Sequence, residues 1–222
     1  MFKFKGISSG DMKIIVEEEL KFIKKAALKY NATEIPGRDG NLYEENGYAD
    51  VEIPLHLFIM DVSKLPEIYK WLSGEGILEY NGKMTTARFY VEHEPIRTSN
   101  IYTMNISLIR SPFWTKEDDF IVVENTIVNE GNVYSEPTIR LEKSTSDDVD
   151  ITINDVRFVY HFESDSFVEI DFNNCNATMN GLNKNSKLEL GFETVRLSPG
   201  NNTVHFNSGE CILKVKGKDR YL

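Results

Sequence analysis

Val149 to Phe162 reads VDITINDVRFVYHF. Val149, Ile151 and Ile153 alternate with polar residues, the pattern pauses at Asn154-Asp155, and Val156, Phe158, Tyr160 and Phe162 resume it. A period of two puts alternate side chains on opposite faces of a strand, and a two-residue Asn-Asp pause between two such runs predicts a tight hairpin. The same rhythm governs much of the chain. In TARFYVEH, Ala87, Phe89, Val91 and His93 share one face, with Arg88, Tyr90 and Glu92 on the other. In YTMNISLIR, Tyr102, Met104, Ile106 and Leu108 oppose Thr103, Asn105 and Ser107. These two runs read as antiparallel strands of a half-buried sheet, with EPIRTSN between them as the connection. VEIDF, KLELGF, NTVHF and CILKVKG follow at short intervals, separated by Asn-, Gly- and Pro-rich turns, a spacing that suggests a β-sandwich.

The strongest helix signal is DVSKLPEIYKWLSGEG, with Asp61 or Ser63 as cap, Leu65, Ile68, Tyr69 and Leu72 as apolar stripe, and Gly74 and Gly76 as stop. Pro66 fits only in the first turn. By propensity VEEELKFIKKAALKYN also reads as helix, with Leu20, Ile23, Ala27 and Leu28 roughly on one side. SPFWTKEDDF marks a boundary: Pro112 ends a strand, Phe113 and Trp114 anchor it, and Lys116 to Asp119 form a charged linker. Two β-rich domains are expected, 1–116 and 117–222.

Composition narrows the function classes. The chain of 222 residues is 41% hydrophobic and 27% charged, sufficient for a substantial core. A net charge of −10 argues against specific nucleic-acid binding, which needs clustered cations. Two cysteines, Cys175 and Cys211, are read as free structural thiols. MFKFKGISSG lacks the apolar segment of a secretory signal, and IPLHLFIM is too short to cross a membrane, so folding in the cytoplasm and no membrane partner are expected.

EIPGRDG, Glu34 to Gly40, is the one stretch that invites a search for chemistry. A phosphate loop would need a Gly-Lys-Ser/Thr ending before a helix, and neither is present. Arg38 and Asp39 have no accompanying nucleophile. Pro36-Gly37 instead suits the centre of a type II turn and Asp39-Gly40 a second turn. Pro36, Gly37, Arg38, Asp39 and Gly40 are therefore candidates for a structural turn or a subunit contact. His56, His93, His161 and His205 lack metal-ligand spacing, and SDDVD (Ser146 to Asp150) lacks the alternating oxygens of a calcium loop. No nucleophile motif appears. Tyr134, Phe167 and Phe192 are the aromatic candidates for a sugar platform, with core packing favoured for the two Phe. No catalytic residue, cofactor or metal site is expected.

Taken in order, six segments carry a resemblance. FKGISSGDMKIIV, EIPGRDGNL, YKWLSGEGILEYNGK (with Trp71, Leu72 and Gly76), ISLIRSPFW, NEGNVYSEPTIRL (with Asn129, Gly131, Ser135 and Pro137) and LSPGNNTV (with Pro199, Gly200 and Asn202) together resemble the distal tail protein (Dit) family of siphophages infecting Gram-positive hosts. The resemblance spans nearly the whole chain. It implies an N-terminal β-rich ring-forming domain with one α-helix and an extended hairpin or belt, followed by a C-terminal galectin-like β-sandwich. It also implies extended chain near residues 17–30, and that reading is adopted over helix. The implied function is structural: a homohexameric ring at the virion tail tip, made in the host cytoplasm. The ring joins the tail tube protein above to the tail-associated lysin or spike below, and DNA passes through it. In many members the periphery holds receptor-binding proteins. The alternative reading is a cell-wall carbohydrate-binding or adhesion module.

Overall fold

The computed structural model describes residues 1–91, 94–98, 101–116, 119–191 and 193–222. His93, Phe192 and part of the charged linker, residues 117 and 118, fall outside them. The chain is mainly β and divides into two compact units, Met1–Trp114 together with Leu222, and Thr115–Tyr221.

The first unit contains β1 (Lys3–Phe4), β2 (Ile7–Ser8), β3 (Ile14–Val16), β4 (Leu28–Glu34), β5 (Asn41–Tyr48), β6 (Val51–Ile59), α1 (Leu65–Leu72), β7 (Glu75–Tyr80), β8 (Lys83–Val91), β9 (Ile96–Thr98) and β10 (Ile101–Arg110). One antiparallel sheet runs β2-β1-β7-β8-β10-β6-β3, and β9 pairs with β10. The stretch read as a mere connection between β8 and β10 thus supplies a strand, because Ile96–Thr98 folds back on Ile101–Thr103. β6 and β10 pair continuously from Val51↔Arg110 to Ile59↔Tyr102. Pro54 is tolerated in β6 because β3 pairs only with Leu57–Ile59, so Pro54 lies where β6 is an edge.

Alternation resolves as burial. Ala87, Phe89, Met104, Ile106 and Leu108 are buried, and Arg88, Tyr90 and Asn105 are exposed. α1 closes this core with Ile68, Trp71 and Leu72. Tyr69, expected on the apolar stripe, is 37% exposed, and Trp71 takes the inward position. Trp71 Nε1 donates to the Phe4 carbonyl at 2.7 Å, and its ring stacks on Phe2 at 5.6 Å between centroids. Of the two candidate caps, Asp61 acts: its carboxylate accepts from the Ser63 backbone N–H at 3.0 Å, opening a 3₁₀ turn (Val62–Lys64) that leads into α1.

Residues 17–30 are neither one helix nor wholly extended. Glu19–Ile23 forms a 3₁₀ turn and β4 begins at Leu28. Leu20 and Ile23 of the supposed stripe are exposed, whereas Phe22 and Ala26 are buried. An α-helix would pair the Phe22 and Lys24 carbonyls four residues onward. Arg110 claims both instead: its Nε donates to the Phe22 carbonyl at 3.3 Å and an Nη to the Lys24 carbonyl. Local propensity is overridden by a cation from β10.

β11 (Trp114–Thr115) follows in sequence, and the second unit then contains β12 (Ile121–Val123), β13 (Thr126–Asn129), β14 (Thr138–Lys143), β15 (Asp148–Ile153), β16 (Val156–His161), β17 (Phe167–Asp171), β18 (Asn176–Met179), β19 (Leu182–Asn183), β20 (Leu188–Leu190), β21 (Gly200–Ser208), β22 (Cys211–Lys216) and β23 (Arg220–Tyr221). A six-stranded sheet, β12-β22-β14-β17-β18-β19, and a five-stranded sheet, β13-β21-β15-β16-β20, share one core. Ile139, Leu141, Val168 and Val215 come from one sheet and Val149, Ile151, Phe158 and Tyr160 from the other. The hairpin at Asn154-Asp155 forms with Ile153 opposite Val156, and Asn154 adopts φ +51°.

Two buried asparagines lock the connections of this sandwich. Asn129 donates to the carbonyls of Val133 and Leu197 and accepts from the Gly131 N–H. Asn202 accepts from the Ser198 N–H and donates to the Ser198 and Gly200 carbonyls. Ser135 Oγ donates to the Lys218 carbonyl at 2.6 Å. Asn129 and Ser135 of NEGNVYSEP and Asn202 of LSPGNN therefore satisfy backbone groups of these connections.

Candidate functional site

Local chemistry dictates where EIPGRDG lies. Pro36 sets φ, Gly37 takes φ +80°, and the Arg38 N–H donates to the Ile35 carbonyl at 3.1 Å, completing a turn. Gly40 takes φ +79° at the second reversal. All five candidates, Pro36 to Gly40, are exposed at the tip of the hairpin formed by β4 and β5.

This hairpin is a two-stranded sheet of its own. The register pairs Glu34↔Asn41, Ala32↔Tyr43 and Tyr30↔Glu45, with a bulge before Leu28↔Tyr48. Lys29 there opposes Asn46 and Gly47, and Gly47 accommodates the bulge at φ +77°. Every residue of β4 is exposed, as are the first six of β5. Seven strand residues reach roughly 20 Å, so the hairpin is an arm with water on both faces. One face carries Tyr30 and Tyr43, whose rings meet edge to face at 5.4 Å, beside Ala32. Opposite lie Thr33 and Leu42. Tyr30, Leu42 and Tyr43 are 58%, 51% and 61% exposed. Lys29 and Arg38 are its cations, against carboxylates at Glu34, Asp39, Glu44 and Glu45. At the base, the Ala49 N–H donates to the Ala27 carbonyl at 2.8 Å. Sequence reasoning finds the tip but assigns no strand to Asn41–Tyr48; the available signal is Asn46-Gly47, a bulge dipeptide between strand formers.

An exposed, aromatic, two-stranded arm is marginal by itself in water, and its chemistry is that of a contact surface. Arg38 and Asp39 form no pair with each other, and among the described residues no side chain from Lys29 to Asn46 makes a hydrogen bond or an ion pair.

The other polar candidates have structural partners. His56 Nδ1 lies 2.9 Å from Glu17, and His205 is exposed. The acids of SDDVD are separated by individual cations: Asp147 pairs with Lys143, Asp148 with His161, and Asp150 with Arg157. Among the described residues no three His, Cys, Asp or Glu side chains form a metal-holding group. Phe167, expected in the core, lies on the outer face of the six-stranded sheet beneath Arg140, whose guanidinium carbon is 3.9 Å from the ring centre. Tyr134 is flanked by Arg196 and Arg220 at 4.9 and 5.9 Å. Cys175 and Cys211 are free thiols; Cys175 is exposed, and burial raises the Cys211 thiol to about 12. No helix among the described residues is long and apolar enough to cross a membrane.

Residues 130–221 match the family model of the siphovirus-type tail component, C-terminal domain. No curated protein matches the sequence. The structure superposes on the Dit protein of phage SPP1, described as a paradigm of the hub adsorption apparatus in phages infecting Gram-positive bacteria, with a TM-score of 0.79 at 12% identity. The superposition covers 100% of this chain and 98% of that one, so the two share a fold. A chain of the phage P2 baseplate in its activated conformation with calcium gives a TM-score of 0.44 at 11% identity, covering 94% of this chain and 91% of that one.

Proposed function

We propose that this chain is a member of the distal tail protein (Dit) family of siphophages, as the family-model match over residues 130–221 and the shared fold support, and is the structural hub of a tail tip. Six copies close into a ring through the ring-forming domain, residues 1–116. Residues 117–222 are the galectin-like platform. The ring joins the tail tube protein to the tail-associated lysin or spike and carries receptor-binding proteins at its periphery.

The observation that carries this reading is the arm. A two-stranded, doubly exposed hairpin with Tyr30, Leu42 and Tyr43 uncovered is built for another chain, and a closed ring supplies one neighbour per arm while leaving no free edge. The short edge strand β3, with Ile15 54% exposed, offers further self-contact surface. If part of the −10 charge of each chain lines the channel, exiting DNA would pass without sticking. The adhesion-module alternative would rest on Tyr134 and Phe167, whose ring faces are occupied by arginines.

Light scattering and negative-stain imaging of the purified chain, alone and with tail tubes, test the reading. A six-fold ring is expected. A monomer that ignores tail tubes and binds host wall polysaccharide would establish the adhesin instead.

A further inference from the structure

The arm lacks what holds the rest of the first unit together. β6 and β10 are paired over nine residues and back onto a core. β4 and β5 pair only with each other among the described residues; Tyr48 meets the Phe113 ring at 5.3 Å at the base, and beyond it the Tyr30–Tyr43 contact is the arm's one ring pair. No side chain from Lys29 to Asn46 is tied to the body by a hydrogen bond or an ion pair among the described residues. Three glycines with positive φ, Gly37, Gly40 and Gly47, enlarge the unfolded ensemble. The arm's hydrogen bonds compete with water on both faces, and fixing its backbone costs as much entropy per residue as in a core strand.

We infer that the arm is an assembly gate. In the free chain Lys29–Asn46 is a fluctuating segment; it sets as the hairpin seen here when a second copy of the chain covers the face that carries Tyr30 and Tyr43. The identity of the covering copy rests on the hub reading; the disorder of the free arm does not. The consequence is kinetic and thermodynamic. A chain whose binding-competent arm is a minor population binds its neighbour more weakly by that fraction, so rings do not close in dilute solution. A surface that already presents ordered neighbours, such as a tail-tube end, lifts the restriction.

Two measurements decide this. Hydrogen exchange on the monomer is expected to show arm amides within about tenfold of unprotected rates while β6 and β10 are slowed by orders of magnitude. The arm should become protected on assembly. The second measurement uses Glu34→Cys with Asn41→Cys, a cross-strand pair beside the turn, in a Cys175→Ser background. Comparing the oxidised and reduced forms of one protein cancels the loss of the two side chains. The oxidised form should assemble at a concentration at least about tenfold lower. Monomer arm amides as slow as those of β6, or equal assembly of oxidised and reduced forms, would overturn the gate. A chain that never assembles counts against the hub reading, and its arm exchange still decides whether the free arm is ordered.

Discussion

Arg110 holds its guanidinium carbon 4.9 Å from the centre of the Trp114 ring, buried inside the first unit and, among the described residues, without a carboxylate partner. Its partners are carbonyls: Phe22 and Lys24 on one side, Ser111 at 2.8 Å and Pro112 at 3.2 Å on the other. Burial lowers its pKa to about 10. One side chain thus ties β10 to the 3₁₀ turn that covers the core. Arg110→Ala removes the donor to four carbonyls and leaves a void, so a loss of about 3 kcal/mol or more is expected. Urea unfolding should show it, and Arg110→Lys should recover only part, because an ammonium lacks the planar fork. A variant as stable as the parent would mean that water replaces these bonds without cost.

Asp165 is the corresponding anion of the second unit. It is 2% exposed and accepts from Lys184 at 2.6 Å and from Lys187 and Tyr160 at 3.0 Å each. Burial pushes its pKa upward, but the three donors outweigh that and hold it at about 2. Since the folded pKa lies below the unfolded value of about 4, the stabilisation is present above pH 4 and is lost as pH falls toward 2. Asp165→Asn should cost about 3 kcal/mol at neutral pH and flatten the acid limb between pH 4 and 2. Chemical denaturation across that range reads both effects.

His161 sits between two carboxylates, Asp148 at 2.7 Å and Glu189 at 3.2 Å, tying β15 and β20 to β16. The hydrogen bond to Asp148, then that to Glu189, raises its pKa. The stabilisation is complete below the unfolded value of about 6.5 and is lost as pH rises through the folded pKa. The group is solvent-accessible, so the effect on stability is small. NMR titration should place His161 above the ordinary imidazole value, and Glu189→Gln should lower it.

A Cβ on Gly131 would stand 2.0 Å from the Arg220 carbonyl oxygen. Gly131→Ala must therefore displace the segment containing β23, losing the Asn132 N–H bond to the Arg220 carbonyl. A drop in melting temperature of several degrees is expected. Gly37→Val meets open space and is penalised only by its φ of +80°. It should leave the first unit's melting temperature almost unchanged and impair assembly. Calorimetry paired with light scattering separates the two behaviours.

By itself the sequence determined the strands whose burial alternates and the turns between them. Alternation is a local property: Val149–Phe162 needed only its own period and Asn154-Asp155 to specify a hairpin, and Pro36-Gly37 only its own dihedral preferences to specify a turn. Tertiary structure decided what depends on distant partners. Residues 17–30 carry helix formers, yet Arg110, more than eighty residues away, takes the carbonyls a helix would use. Arg110 itself continues the inward series Met104, Ile106 and Leu108, a position where alternation predicts an apolar residue. Trp71 displaces Tyr69 from the core because the Phe4 carbonyl waits for its indole N–H. The exposure of both faces of the arm was equally illegible, because whether a strand is covered is set by what packs on it and not by its own residues.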